Sequence, residues 1–181
     1  MIFETDRVRL RKCRASDADL YNAWSNDEIF AYFTHPCMDK HSQEETDRFF
    51  DTLRNSKRSK SYMVETRKEA ITIGITSLID IDPVHRNAEF IIDLGDKDYW
   101  GRKLGREAAS LMLGLAFCEL DLHRVSLKVF AFNERAIKLY RSLGFVEEGR
   151  MREALFRGGK RHDIILMGML QSEYADLHAE R

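Results

Sequence analysis

Proline is almost missing from this chain, with two in 181 residues, and glycine is modest at ten. So few breakers exclude collagen-like, proline-rich and linker-dominated designs, and 44% hydrophobic with 33% charged residues excludes a disordered segment. Cysteine is as scarce. Cys13, Cys37 and Cys118 are odd in number and scattered, so neither a disulfide framework nor a zinc site is expected, and the usage fits a reducing cytoplasm. The six histidines show no metal-ligand spacing either. His35, His41 and His85 read as surface or hydrogen-bonded residues, and no metal is expected. Charge of one sign is lacking: the formal net charge is −1, which removes the global case for nucleic acid. Basic residues crowd only locally, in 54–60, 102–106 and 150–161. Long apolar runs are absent as well. Leu111-Met-Leu-Gly-Leu-Ala-Phe117 falls far short of the roughly 20 residues a bilayer span needs, and Met1–Arg7 has no apolar stretch of the signal-peptide kind. A cytoplasmic protein without a membrane partner is the expectation.

What is present is a steady alternation of period-two and helical patterning, long enough for one domain with a substantial core over 1–181. Arg7–Cys13 alternates as a half-buried strand. Ser16-Asp17 offers an N-cap to a helix carrying Leu20, Tyr21 and Trp24. A short helix follows Asn26-Asp27 and stops at His35-Pro36. Ser42 and Glu45 spell a capping box for a helix bearing Phe49, Phe50 and Leu53. A meander comes next: Ser61–Thr66, then Ile71–Ile81 broken or bulged at Gly74, then Ala88–Leu94, with short connections that predict antiparallel pairing. A long helix is expected over Leu104–Leu120, a strand over Arg124–Phe130, and a helix over Asn133–Ser142 that stops at Gly144. Phe145–Phe156 and Asp163–Leu170 form a last hairpin around Gly158-Gly159, with a frayed helix from Ser172. Apolar residues in that hairpin are compatible with a homodimer or higher homo-oligomer.

The stretch Asp98-Tyr-Trp-Gly-Arg-Lys-Leu-Gly-Arg-Glu-Ala-Ala109 runs from the end of a strand through a basic, Gly-containing loop into a helix. The first N–H groups of a helix lack internal partners and carry partial positive charge, so they bind anions. Gly101 and Gly105 allow close backbone approach, and Arg102, Lys103 and Arg106 add cations. Such a loop is either the cradle of a pyrophosphate or an ordinary strand-to-helix turn with solvated basic residues.

Downstream, Asn133-Glu-Arg-Ala-Ile-Lys-Leu-Tyr-Arg-Ser-Leu-Gly-Phe145 has the form N-x-x-A-x-x-L-Y-x-x-L-G-F. With the loop and the order of strands, it resembles the GNAT superfamily of acetyl-CoA-dependent N-acetyltransferases, over nearly the whole chain. The resemblance implies an α+β fold: a mostly antiparallel twisted sheet of about seven strands, helices on both faces, and a splay between the parallel fourth and fifth strands that admits the pantetheine arm of acetyl-CoA, the co-substrate. The family's loop reads Q/R-x-x-G-x-G/A, whose marked positions fall here at Trp100, Lys103 and Gly105. Only Gly105 matches. Lys103 puts a side chain where a glycine is usual, and it either grips phosphate as a point charge or weakens cofactor binding. Cofactor contacts are implied for Trp100, Gly101, Arg102, Lys103, Leu104, Gly105, Arg106 and Asn133. The N–H groups of Ile92, Asp93 and Leu94 are implied to receive the acetyl carbonyl.

Tyr140 is implied as the acid that protonates the departing thiolate: a tyrosine near pKa 10 is protonated at neutral pH, while a thiol lies near 8.5. Its alternative is simple packing on a helix face. Asn133 is a helix cap, a cofactor ligand, or both. Glu89, sharing a strand face with Ile91 and Asp93, is the candidate base or amine-binding group; its alternative is a rim salt bridge to Arg86 or a neighbour. Within the family, Ile81–Phe90, Leu120–Arg124 and Glu147–Arg161 are similar to bacterial spermidine N-acetyltransferases. This implies a polyamine as the amine substrate, with Asp39, Glu44 and Glu45 as sources of charge. The alternatives are an acceptor that is a protein N-terminus or an amino sugar, and a domain that binds acetyl-CoA without transferring it.

Overall fold

The computed structural model describes residues 3–179. Among these, β1 (Val8–Lys12), β2 (Lys60–Thr66), β3 (Thr72–Asp82), β4 (Asn87–Asp93), β5 (Arg124–Phe130), β6 (Val146–Arg157) and β7 (Lys160–Leu170) form one sheet. Its spatial order is β1-β2-β3-β4-β5-β7-β6. Every pair is antiparallel except β4–β5, which is parallel. A parallel step cannot be closed by a tight turn, and the crossover runs through α4 (Leu104–Gly114). The other helices are α1 (Asp17–Ser25), α2 (Glu28–Thr34), α3 (Gln43–Asn55), α5 (Glu134–Leu143) and α6 (Gln171–Ala179). This is the α+β, mostly antiparallel architecture expected from the sequence. Among the described residues no helix is long and apolar enough to cross a membrane.

Local chemistry explains most element ends. Ser42 and Glu45 form the full capping box at α3, and Asp27 accepts from the N–H groups of Ile29 and Phe30 at α2. Gly144 closes α5 at φ 102°, and Gly158 and Gly159 turn the last hairpin at φ 57° and 76°, the sign that a two-residue hairpin loop demands. Two expectations are corrected. Ser16 makes no side-chain cap at α1: its own backbone is already helical, at φ −64° and ψ −12°, whereas a capping residue is extended so that its side chain can reach back to the second or third helical N–H. The helix expected over Leu104–Leu120 is α-helical only to Gly114 and then widens into a π-helical turn, Leu115–Glu119.

The sheet has a core on each face. α4 and α5 cover one face, where Val64, Leu78, Phe90, Met112, Val125, Ile137 and Met167 pack together. α1, α2 and α3 cover the other with Ala18, Trp24, Phe30, Phe50, Met63 and Ile75. Ile73 and Ile75, two apart in one strand, lie in opposite cores. The cause is a register shift against Val64/Glu65, the bulge expected at Gly74; an extra residue reverses which face the next side chain meets. A buried ion network ties β1, β2 and α1: Arg11 holds Asp17 at 2.7 Å and also Glu65, and Arg9 holds Glu65 at 2.7 Å. Burial pushes both carboxyls up, but the arginine hydrogen bonds outweigh it and hold Asp17 and Glu65 below the usual carboxylate range.

Candidate active site

β4 and β5 pair only over Asn87–Glu89 and Arg124–Ser126. Beyond that point β4 stays with β3, to Ile75 opposite Asp93, while β5 stays with β7, to Phe130 opposite Ile164. The strands therefore part, as expected for the fourth and fifth strands. On the β5 side, alternate N–H groups of Phe90–Leu94 have no ladder partner and border a cavity of about 800 Å³. Gly74 sets where this edge lies: a Cβ there would collide with the Asp93 carbonyl oxygen and with Leu94.

The loop that closes the cavity is shaped residue by residue. Gly95 passes so near the Trp24 ring that no Cβ fits. A 3-10 turn, Lys97–Tyr99, follows with Asp96 as its cap. The Trp100 indole N–H donates to the Leu94 carbonyl at 2.7 Å, and the Arg135 guanidinium stacks 3.8 Å over its ring. Gly101 is at φ 76° with open space around a would-be Cβ, so its requirement is the backbone turn and not close approach. Lys103 is also left-handed, at φ 64° and ψ 6°. That conformation explains a glycine preference at this position, and it costs a non-glycine residue roughly 1–2 kcal/mol; the lysine backbone adopts it nonetheless. Gly105 is the close approach, with a would-be Cβ only 3.1 Å from Leu94 Cδ1.

Of the cations expected near phosphate, Lys103 and Arg106 line the cavity and Lys138 of α5 joins them. Arg102 stands outside, stacked on the Tyr99 ring at 5.0 Å, its carbonyl taken by Arg7. With Leu104 and Gly105 also lining the cavity, the cationic face sits at the start of α4, where leading N–H groups lack helical partners.

Tyr140 is buried between Phe90 and Phe145, at 6.4 and 6.0 Å between ring centroids, and reaches the cavity. Burial, with the charge of Asp93, pushes its hydroxyl well above the ordinary tyrosine value, so it stays protonated. Asn133 is the cap of α5: its Oδ1 accepts the Ala136 N–H at 3.2 Å, while its Nδ2 donates to the Phe33 carbonyl at 3.3 Å. Glu89 lines the cavity and pairs with Lys128 at 2.9 Å. Arg86, a partner considered for it, pairs with Asp121 instead.

Three groups were not singled out from the sequence. The Asp93 side chain lines the cavity beside Tyr21 and Tyr140, and burial pushes its carboxyl up to about 7. Arg135 follows the cap of α5 by two residues and forms part of the wall. Arg157, 5% exposed, donates to the carbonyls of Tyr32 and His35 at 2.6 Å each and, at longer range, of Ala31 and Pro36. It thereby fastens the end of α2, where Phe33, Thr34, His35 and Pro36 line the cavity. The period of two places Asp93 with Glu89, but burial of its carboxyl depends on α1 and α5 and has no sequence signal.

Comparison with known proteins follows the same outline. Residues 7–146 match the family model of the acetyltransferase (GNAT) domain. The chain is 31% identical over 155 residues to spermidine N(1)-acetyltransferase of Vibrio cholerae, covering 86% of this chain and 87% of that one. The crystal structure of the Vibrio cholerae spermidine N-acetyltransferase with CoA and spermine superimposes with a TM-score of 0.86 at 27% identity, covering 94% of this chain and 99% of that one. A dodecameric structure of the Vibrio cholerae enzyme, in an intermediate state, gives 0.81 at 28% identity, covering 96% and 99%.

Proposed function

The chain belongs to the GNAT acetyltransferase family and is an acetyl-CoA-dependent N-acetyltransferase; we propose that it acetylates a primary amine, first a polyamine such as spermidine, by direct attack in a ternary complex. The observation that carries this is the parting of β4 from β5 beyond Glu89, which opens unpaired strand N–H groups onto a cavity reached by the Tyr140 hydroxyl.

Each part of the cavity has a role. The start of α4 with Lys103, Arg106 and Lys138 holds the pyrophosphate. The indole and guanidinium of Trp100 and Arg135 wall the pantetheine arm, and capped Asn133 fixes the start of α5 beside it. The N–H groups in Ile92–Leu94 receive the acetyl carbonyl and then the oxyanion of the tetrahedral intermediate. As nitrogen–carbon bonding completes, the carbon–sulfur bond breaks, and Tyr140 gives its proton to the leaving thiolate.

One feature supports a polyamine: Glu89 and Asp93 share one face of β4, four residues and therefore about 13 Å apart, a spacing that suits two separated ammonium groups. Glu89 already holds the Lys128 ammonium at 2.9 Å, so a substrate ammonium reaches that carboxylate by displacing the lysine. A second reading, a protein N-terminal amine, is favoured by the apolar acceptor wall of Phe33, Pro36 and Phe130. Lys103 keeps the left-handed turn and Tyr140 lines the cavity, which supports transfer over a domain that only binds acetyl-CoA. Exposed Val146, Met151 and Phe156 on edge strand β6 support self-association, and a monomeric mass in solution would count against it.

The test is thiol release from acetyl-CoA over a panel containing spermidine, a monoamine, an amino sugar and an N-terminal peptide, with the product weighed for one added acetyl group. Tyr140→Phe should lower kcat by about 100-fold or more and leave the Kd for acetyl-CoA within a few-fold. Acetyl-CoA binding with no amine acetylated would overturn the reading; acetylation of the peptide alone would move the acceptor from polyamine to protein.

A further inference from the structure

The acceptor enters as an ammonium ion, and something must take its proton before nitrogen can attack. We infer that the carboxylate of Asp93, at the open end of the β4–β5 splay, is that proton acceptor. This deepens the proposed acetyl transfer and rests on it.

Placement is the first argument. Asp93 is the last residue of β4, four beyond the end of β4–β5 pairing, and it lines the cavity. Glu89 stands where the two strands are still joined, opposite Ser126, and its carboxylate is engaged by Lys128. Asp93 also belongs to the strand segment whose N–H groups border the acyl site, so a nitrogen held by its carboxylate is close to the carbonyl it attacks. Gly74 fixes that segment, since its bare Cα lets the Asp93 carbonyl lie against β3.

Surroundings are the second argument. The titratable groups facing the Asp93 carboxyl are Tyr21 from α1 and Tyr140 from α5. Both are neutral hydroxyls raised above their ordinary value chiefly by burial, and burial is the sole cause of the shift at Asp93 itself, with no cation opposing it. An ammonium that enters therefore meets a carboxylate poorly solvated and unpaired. Proton transfer between them converts an ion pair into a neutral amine and a neutral acid, a change that a low-dielectric site favours. A carboxyl at about 7 instead of 3.8 also takes a proton from an amine near 10.4 about 1,000-fold more favourably.

The proton count closes. Asp93 takes one proton from R–NH3+ and later returns it to solvent. The free amine forms the C–N bond, and the second nitrogen proton replaces the one that Tyr140 donates to sulfur as the C–S bond breaks. The products are the N-acetyl amine, CoA thiol and one proton.

The experiment is the pH profile of kcat/KM for the wild-type protein and for Asp93→Asn and Asp93→Glu, with acetyl-CoA and the best amine of the panel, and acetyl-CoA Kd measured by calorimetry on each. Wild type should rise tenfold per pH unit to a break near 7 and then run level. Asp93→Asn should fall about 100-fold or more at neutral pH, keep its Kd within a few-fold, and climb tenfold per pH unit up to about 10, where the amine titrates by itself. Asp93→Glu should restore part of the rate and the level region. An Asp93→Asn profile parallel to wild type, or one lowered equally at every pH, overturns the assignment while leaving acetyl transfer intact. Failure of the wild type on every amine overturns both.

Discussion

Removing the charge of Asp93 should stabilise the folded protein at alkaline pH. The carboxyl is pushed from 3.8 up to about 7 by burial, and each tenfold change in proton affinity is worth about 1.4 kcal/mol. The native state therefore carries a penalty of about 4 kcal/mol when Asp93 is ionised. The sign follows from proton counting. Between about 4 and 7 the native carboxyl holds a proton that the unfolded chain has released, so stability falls by about 1.4 kcal/mol per pH unit as pH rises through this window. Below it both states are protonated and the penalty vanishes; above it the full penalty applies. Asp93→Asn abolishes this dependence, while any cost of burying its amide is the same at every pH. Urea unfolding of both proteins from about pH 4 to pH 8 should thus show Asp93→Asn gaining about 4 kcal/mol relative to wild type across the range. A difference constant to within about 1 kcal/mol would refute the reasoning. It would mean that solvent reaches the carboxyl, and the driving force for its role as proton acceptor would go with it.

Two further changes test the cavity walls. Lys103→Gly should relieve the left-handed backbone at φ 64° and, after the larger unfolded-state entropy of glycine, leave stability unchanged or raised by up to about 1 kcal/mol. It should still weaken acetyl-CoA binding about fivefold by removing a phosphate contact worth about 1 kcal/mol. That loss should shrink between about 0.1 M and 1 M salt as screening shortens, and calorimetry showing tighter binding by Lys103→Gly would exclude the contact. Gly74→Ala should cost about 1–3 kcal/mol, because its Cβ meets the backbone carbonyl of Asp93 and cannot be accommodated by a rotamer change. The same displacement should lower kcat more than stability at the assay temperature explains, and a thermal melt and turnover rate both equal to wild type would show that the strand edge is not fixed there.

Much of the fold is written locally. The Ser42–Glu45 capping box, Asn133 and Gly144 around α5, and the Gly158-Gly159 turn are decided by side chains or φ angles within a few residues, so the chain alone announces them. Ser16 shows how such reading fails. The cap motif is present, but Ser16 takes a helical backbone from which no cap forms, next to an Asp17 that is held by Arg11, six residues earlier. The π turn after Gly114 likewise has no periodicity of its own.

For the site, the sequence by itself determined the strand–loop–helix cradle, the Tyr140 helix and the family they indicate, because these are short-range patterns whose parts must stand at fixed spacings. Only the tertiary structure decided which groups face the cavity. Arg102 turns out to Tyr99, Arg135 turns in over Trp100, and Glu89 is occupied by Lys128. Asp93 becomes a perturbed carboxyl because the packing of distant segments buries it. Proton affinity is set by what surrounds a group in space, and that environment exists only once distant segments have packed together.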